Sequence, residues 1–284
     1  IEDVLLAEKP DVLLVYGDTN STIAGALAAS KLHTPVAHVE AGLRSYNMRM
    51  PEEQNRVLTD HISHWLFCPT QTAVDNLKKE GIVQGVQLTG DVMLDSVLHF
   101  LEVARRNPQK TAIFEALGIA PKQYRLATLH RAETTDGGLE AIVRIFRAFE
   151  QLPQRVVIPI HPRTRKLAEQ AIAQEGFHNI QLIDPVGYLE MLLLTSNACQ
   201  VLTDSGGLQK EAWFMEVPCI TLRKETEWVE TLDGNWNVLA DLTTEDILQK
   251  ALHTVPDPAA RGKLPFGDGK ASQKIAEALK RETE

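Results

Sequence analysis

The chain lacks positive charge and paired cysteines, and both absences narrow its function. Its 284 residues carry 29 Lys and Arg against 38 Asp and Glu, a net charge of −9. A basic face for a phosphodiester backbone is therefore missing, and nucleic acid is not an expected partner. The three cysteines, Cys68, Cys199 and Cys219, lie far apart and form no CxxC pair. That removes zinc-knuckle and dithiol chemistry and points to a reducing compartment, the cytoplasm. No apolar run approaches the roughly 20 residues that cross a bilayer, so no membrane segment is expected. There is no HExxH, the histidines show no metal-ligand spacing, and no GxSxG elbow surrounds Ser205. Neither metal nor cofactor is expected. With 44% hydrophobic and 24% charged residues, the composition is that of an ordinary globular chain and excludes a disordered or collagen-like one.

What is present is alternation. Short β-branched runs such as DVLLVYGD (11–18), PVAHVEAG (35–42) and HWLFCPT (64–70) alternate with helical stretches such as PEEQNRVLTDHIS (51–63). The polar segment after Pro108 reads as a domain joint. The pattern then restarts with YRLATLHR (124–131), RVVIPIHP (155–162) and CQVLTDSGG (199–207). Strands separated by helices predict parallel sheets with right-handed crossovers, here two Rossmann-like domains facing a cleft. The expected domains are 1–107, 108–265 and a last helix in 266–284. Ligands of open α/β sheets sit beyond the carboxyl ends of the strands. Those ends carry Asp18, Glu40, Asp91, His130, His161 and Asp204.

Several of these residues have a plain structural alternative. Ser205-Gly206-Gly207 turns a strand into a helix, where free amides and the helix dipole suit a phosphate, with Glu211 placed to accept ribose hydroxyls; a simple Ser205 N-cap explains the turn equally well. Asp18 suits a helix cap. Glu40 ends an apolar strand and needs a partner, for which Arg44 is a candidate. Glu52 and Glu53 complement a helix dipole, and a Glu52–Arg56 pair fits the i, i+4 spacing. His130 with Arg131, and His161 with Arg163, suggest contacts to an anion. Carboxylates at strand ends in the first half, with a phosphate turn and a histidine in the second, fit proton transfer on a nucleotide-linked substrate.

The motifs GDTNST, HVEAGLRS, MPEEQNRVLTDHIS, TGDVMLDS, TLHRAET, IPIHPR, LTDSGGLQKEA and LRKETEWVE, in this order, resemble the non-hydrolysing UDP-N-acetylglucosamine 2-epimerases. The resemblance implies the GT-B-like fold shared with a class of glycosyltransferases, a homodimer, a UDP-sugar substrate and no cofactor. It implies UDP elimination to a 2-acetamidoglucal and re-addition with inversion at C2, for surface polysaccharide synthesis. By motif, Asp18, Glu40, Glu52 and His130 match the catalytic set. Arg131, His161, Ser205, Gly206, Gly207 and Glu211 match the UDP contacts, and the last helix is expected to return to the first domain. Against the family the chain is expected to start partway through that domain. The segment Thr226-Glu227-Trp228-Val229-Glu230 departs from a Thr-Glu-Arg-Pro-Glu pattern and is shared with relatives acting on UDP-2,3-diacetamido uronic acids. A glycosyltransferase of the same fold and a non-catalytic nucleotide-sugar binder are the rival readings.

Overall fold

Each β-branched run forms a strand, and all the strands pair in parallel. The computed structural model describes residues 1–130, 134, 137–262 and 264–283. The chain divides into two compact units, Ile1–Ser96 with Leu264–Glu284, and Val97–Lys263.

In the first unit, β1 (Leu13–Tyr16), β2 (Val36–Val39), β3 (Trp65–Cys68) and β4 (Val86–Leu88) form a four-stranded sheet in sequence order. Helices α1 (Glu2–Glu8), α2 (Asn20–Lys31), α3 (Pro51–Ile62) and α4 (Gln71–Lys79) alternate with them, and the chain passes into the second unit within α5 (Val92–Arg105). All four residues of β2 are buried, as expected of a parallel strand covered on both faces. Strand periodicity sends Val36 and His38 to one face and Ala37 and Val39 to the other. Val36 packs with Val15, Ala26 and Ala29. Ala37 and Val39 pack with Phe67 and with Ile275 of a C-terminal helix, Ala271–Thr283. Asp95 receives the first amides of that helix, from Ala271 at 3.1 Å and Ser272 at 2.7 Å. Helix α3 begins with Pro51 at its first position, where the missing N–H costs nothing.

In the second unit, the end of α5 is followed by two short helices, α6 (Pro108–Thr111) and α7 (Ile113–Leu117). Its strands are β5 (Tyr124–Thr128), β6 (Arg155–Pro159), β7 (Ile180–Ile183), β8 (Gln200–Thr203), β9 (Cys219–Thr221) and β10 (Asn237–Leu239). The six-stranded order is β10-β9-β8-β5-β6-β7, the Rossmann order, with its switch point between β5 and β8. The helices are α8 (Gly138–Glu150), α9 (Pro162–Glu175), α10 (Tyr188–Asn197), α11 (Gly206–Phe214) and α12 (Thr244–His253), and α13 is the C-terminal Ala271–Thr283. Helix α8 presents Ile142, Ile145, Phe146 and Phe149 to the sheet, all fully buried, and forms the centre of this unit's core. Trp213, Trp228 and Trp236 are buried, in keeping with a core role.

Candidate active site

At a switch point two neighbouring strands send their chains to opposite faces of the sheet, which opens a crevice at their carboxyl ends. Here the ends of β5 and β8 are tied by a 2.6 Å bond between the Thr128 and Thr203 hydroxyls. Beyond them come His130 and Asp204. The Asp204 carboxylate is fully buried, accepts from the His130 backbone amide at 3.0 Å and lies 3.1 Å from its Nδ1. The carboxylate thus sets a negative charge close behind the ring, where it favours a protonated imidazole. The imidazole itself is half exposed.

The turn after Asp204 forms the N-cap that the sequence allows. Ser205 is the N-cap of α11, its Oγ accepting from Leu208 N at 3.3 Å. The same hydroxyl still has a proton to donate, and the first-turn amides beginning at Gly206 and Gly207 point out of the helix. Glu211, one turn further, is buried. Burial pushes its carboxyl above the ordinary 4.5, while a hydrogen bond from the Tyr188 hydroxyl and the Lys210 ammonium act the other way. Lys210 is itself buried, with its Nζ 3.5 Å from the centre of the Trp228 ring.

His130, Ser205, Gly207 and Glu211 line one cavity of about 280 Å³, together with Thr128, Met191 and Leu208. An adjoining cavity of about 440 Å³ shares Thr128, His130 and Met191 and adds His161. His161 caps α9, its Nδ1 accepting from Arg163 N at 3.2 Å, so its proton sits on Nε2. Arg131 lies outside the described residues. A larger cavity of about 630 Å³ lies against Leu222–Glu225 and Ala240–Thr243. It lacks the strand-end histidines and the glycine turn, so its size does not make it the site.

The first unit assembles carboxylates. Glu40 follows β2 with φ of 75°, a left-handed backbone that is costly for a residue with a side chain and that clusters at functional sites. A Cβ placed on Gly17 would stand 3.3 Å from Glu40 Oε2, so the Glu40 carboxylate lies against the Gly17-Asp18 turn. Asp18 is bound by the Arg56 guanidinium, with Nε at 3.1 Å and a closer contact through Nη2. Asn55 Nδ2 donates to the Asp18 carbonyl at 2.9 Å.

Three local pairings that the sequence allows are not the ones formed. Asp18 does not cap α2; Thr19 does, its hydroxyl accepting from Thr22 N at 3.4 Å. Arg56 turns away from Glu52 to Asp18 and to Glu53, whose Oε2 receives Nη1 at 2.8 Å. Arg44 directs its guanidinium to Asp60 at 2.7 Å and to Glu80 at 2.7 and 2.8 Å in place of Glu40. Glu53, read from sequence as a dipole complement, is a buried anchor: it accepts from Ser45 N at 2.9 Å and Tyr46 N at 2.8 Å and fixes the loop before α3. Glu52 is exposed on the first turn of α3.

A Rossmann sheet with a glycine turn, a buried carboxylate and an aspartate-backed histidine at its switch point defines a nucleotide-binding α/β protein. Residues 1–280 match the family model for UDP-N-acetylglucosamine 2-epimerase, and the chain belongs to that family. It is an isomerase of the UDP-sugar 2-epimerase type. It is 52% identical over 283 residues to the UDP-N-acetylglucosamine 2-epimerase homolog of Methanococcus maripaludis, covering 99% of this chain and 78% of the relative. It is 49% identical to the UDP-2,3-diacetamido-2,3-dideoxy-D-glucuronate 2-epimerase of Pseudomonas aeruginosa, over 98% of this chain and 77% of the relative. The crystal structure of Methanocaldococcus jannaschii UDP-GlcNAc 2-epimerase in complex with UDP-GlcNAc and UDP aligns with a TM-score of 0.87 at 43% identity, covering 99% of this chain and 78% of that one. The GT-B-like architecture expected from the motifs is therefore that of the solved relatives. No helix among the described residues is long and apolar enough to cross a membrane.

Proposed function

We propose that the protein interconverts UDP-N-acetylglucosamine and UDP-N-acetylmannosamine. The observation that carries this reading is the convergence of His130, Ser205, Gly207 and Glu211 on one cavity at the Rossmann switch point. The chain is also 46% identical to UDP-N-acetylglucosamine 2-epimerases of two methanogens. The second unit holds the nucleotide. The amides of Gly206 and Gly207 and the Ser205 hydroxyl receive the diphosphate, and Glu211 accepts the ribose hydroxyls. His161 and Arg131 add positive or donor groups to the same anion.

The reaction removes the C2 proton to a carboxylate and breaks the C1–O bond to UDP, leaving a 2-acetamidoglucal. UDP then adds back to C1 as a proton is delivered to the opposite face of C2. Asp18, Glu40 and Glu52 are the groups that move these protons, and His130, backed by Asp204, offsets the charge that develops on the departing diphosphate. No step calls for a metal or a redox cofactor. A cytoplasmic homodimer belongs to the same reading, supported by the family resemblance and by three cysteines that are all unpaired.

The 49% identical glucuronate relative keeps a second substrate in view, the UDP-2,3-diacetamido uronic acid. Proton NMR in D2O tests both. Deuterium at C2 with a manno product from UDP-N-acetylglucosamine supports the proposal. Exchange with the diacetamido uronic acid alone reassigns the substrate, and transfer of the sugar to an acceptor would point to a glycosyltransferase instead.

A further inference from the structure

Behind the carboxylates of the first unit lies a histidine to which the reaction above gives no part. His38 sits in β2 with no exposed surface. Its Nδ1 is 2.7 Å from Asp60 Oδ1, and its Nε2 is 2.8 Å from the carbonyl oxygen of Gly17. A carbonyl oxygen can only accept. Asp60 is held as a carboxylate by Arg44, which donates to Oδ2 at 2.7 Å, and by the Gly42 amide at 3.1 Å, so it too accepts. A neutral imidazole has a single N–H and would set a bare nitrogen lone pair against one of these two oxygens. We infer that His38 is a buried imidazolium that positions the catalytic carboxylates, with one N–H fixed on Asp60 and the other on the peptide oxygen of Gly17.

That peptide oxygen belongs to the residue before Asp18, and Gly17 is also the position against which Glu40 Oε2 rests. His38 thus holds the turn that carries Asp18 and against which Glu40 rests, and it places a positive charge near Glu40. The inference rests on the epimerase reading, since only there do Asp18 and Glu40 act as proton carriers. The groups around the ring are Asp60 from α3, Glu40 from the end of β2 and, behind Asp60, Arg44, Glu80 and the Cys68 thiol of β3. Burial draws the His38 pKa down. The Asp60 hydrogen bond and charge, the Gly17 carbonyl and Glu40 draw it up, and they prevail over burial, leaving it above the ordinary 6.5. A group shifted this way keeps its charge, and the stability that goes with it, below 6.5. Both fade as pH rises through its value in the folded protein.

The test is nitrogen-15 NMR of histidine-labelled wild-type protein from about pH 6 to pH 9, with turnover measured alongside. At about pH 7 both ring nitrogens of His38 are expected to be protonated. As pH rises, kcat is expected to fall with the same titration while UDP affinity stays level. His38→Gln should lose on the order of a hundredfold in kcat, the scale of a misplaced catalytic group, and keep its UDP affinity. The wild-type spectrum carries the test whether or not that variant folds. A singly protonated His38 at about pH 7 in an active enzyme, or wild-type kcat in His38→Gln, overturns this inference alone. Absence of C2 exchange from wild type with either UDP-sugar overturns the epimerase reading and this inference with it.

Discussion

Asp204→Asn keeps the shape of the side chain and removes its charge. The carboxylate accepts from the His130 backbone amide through Oδ2 and sets Oδ1 3.1 Å from Nδ1 as a charge contact. An asparagine has one acceptor and one donor. With its oxygen on the amide, its NH2 faces Nδ1, and no negative charge is left to favour a protonated ring. The variant histidine can still donate to an anion, but as a neutral group without a counter-charge behind it. A hydrogen bond from a charged group is worth about 1.5–3 kcal/mol against about 1 for a neutral one, a difference of about 0.5–2 kcal/mol that corresponds to roughly two- to thirtyfold in kcat. UDP affinity should change far less, because the Ser205 turn and Glu211 are untouched. The assay is C2 deuterium exchange by NMR with calorimetric UDP binding on the same preparations. Because Asp204 acts through His130, Asp204→Asn should add little to a His130→Asn background. Wild-type kcat in Asp204→Asn, or full additivity of the two changes, would refute the reasoning.

The remaining predictions concern the carboxylates and their partners. Glu40→Gln and Asp18→Asn should each lower kcat by about 10²–10⁴-fold, the usual worth of a positioned acid or base, with UDP still bound; loss of UDP binding together with near-UV circular dichroism would make these residues structural. Glu211, its carboxyl raised by burial, should take up a proton at higher pH than an ordinary glutamate and lose one acceptor for the ribose. Affinity for UDP-N-acetylglucosamine, followed by calorimetry, should therefore weaken as pH falls toward that raised value. The same profile in Glu211→Gln would show that another group is responsible. Arg56→Met strands the buried Glu53 carboxylate without its cation and should cost about 3–5 kcal/mol, seen as a lower urea midpoint; an unchanged midpoint would mean that Ser45 and Tyr46 alone satisfy Glu53.

The parts of this architecture that were legible in the sequence are those fixed by local rules. Runs such as VAHV and QVLT are buried along their whole length because a parallel strand is covered on both faces, and the polar residue that follows each one marks the carboxyl end of the sheet. Asp18, Glu40, His130 and Asp204 are picked out as strand ends for that reason. Partners were not legible in the same way. Helical spacing suggested Glu52 for Arg56, and nearness along the chain suggested Arg44 for Glu40. The structure pairs Arg56 with Asp18, 38 positions away, and Arg44 with Asp60 and Glu80, because α3 and the end of α4 come over the strand ends only in the folded chain. The i, i+4 rule fails here for an energetic reason: an exposed helical pair gains a few tenths of a kcal/mol, whereas a buried carboxylate without a cation loses several. His38 shows both halves of this. A histidine in the middle of an otherwise apolar strand signals that something must meet it, since a buried ring nitrogen left unbonded is costly. Nothing local says that the partner is Asp60, an acid well inside α3. The strand declares that a partner is needed, and only the packing of α3 against β2 supplies which one.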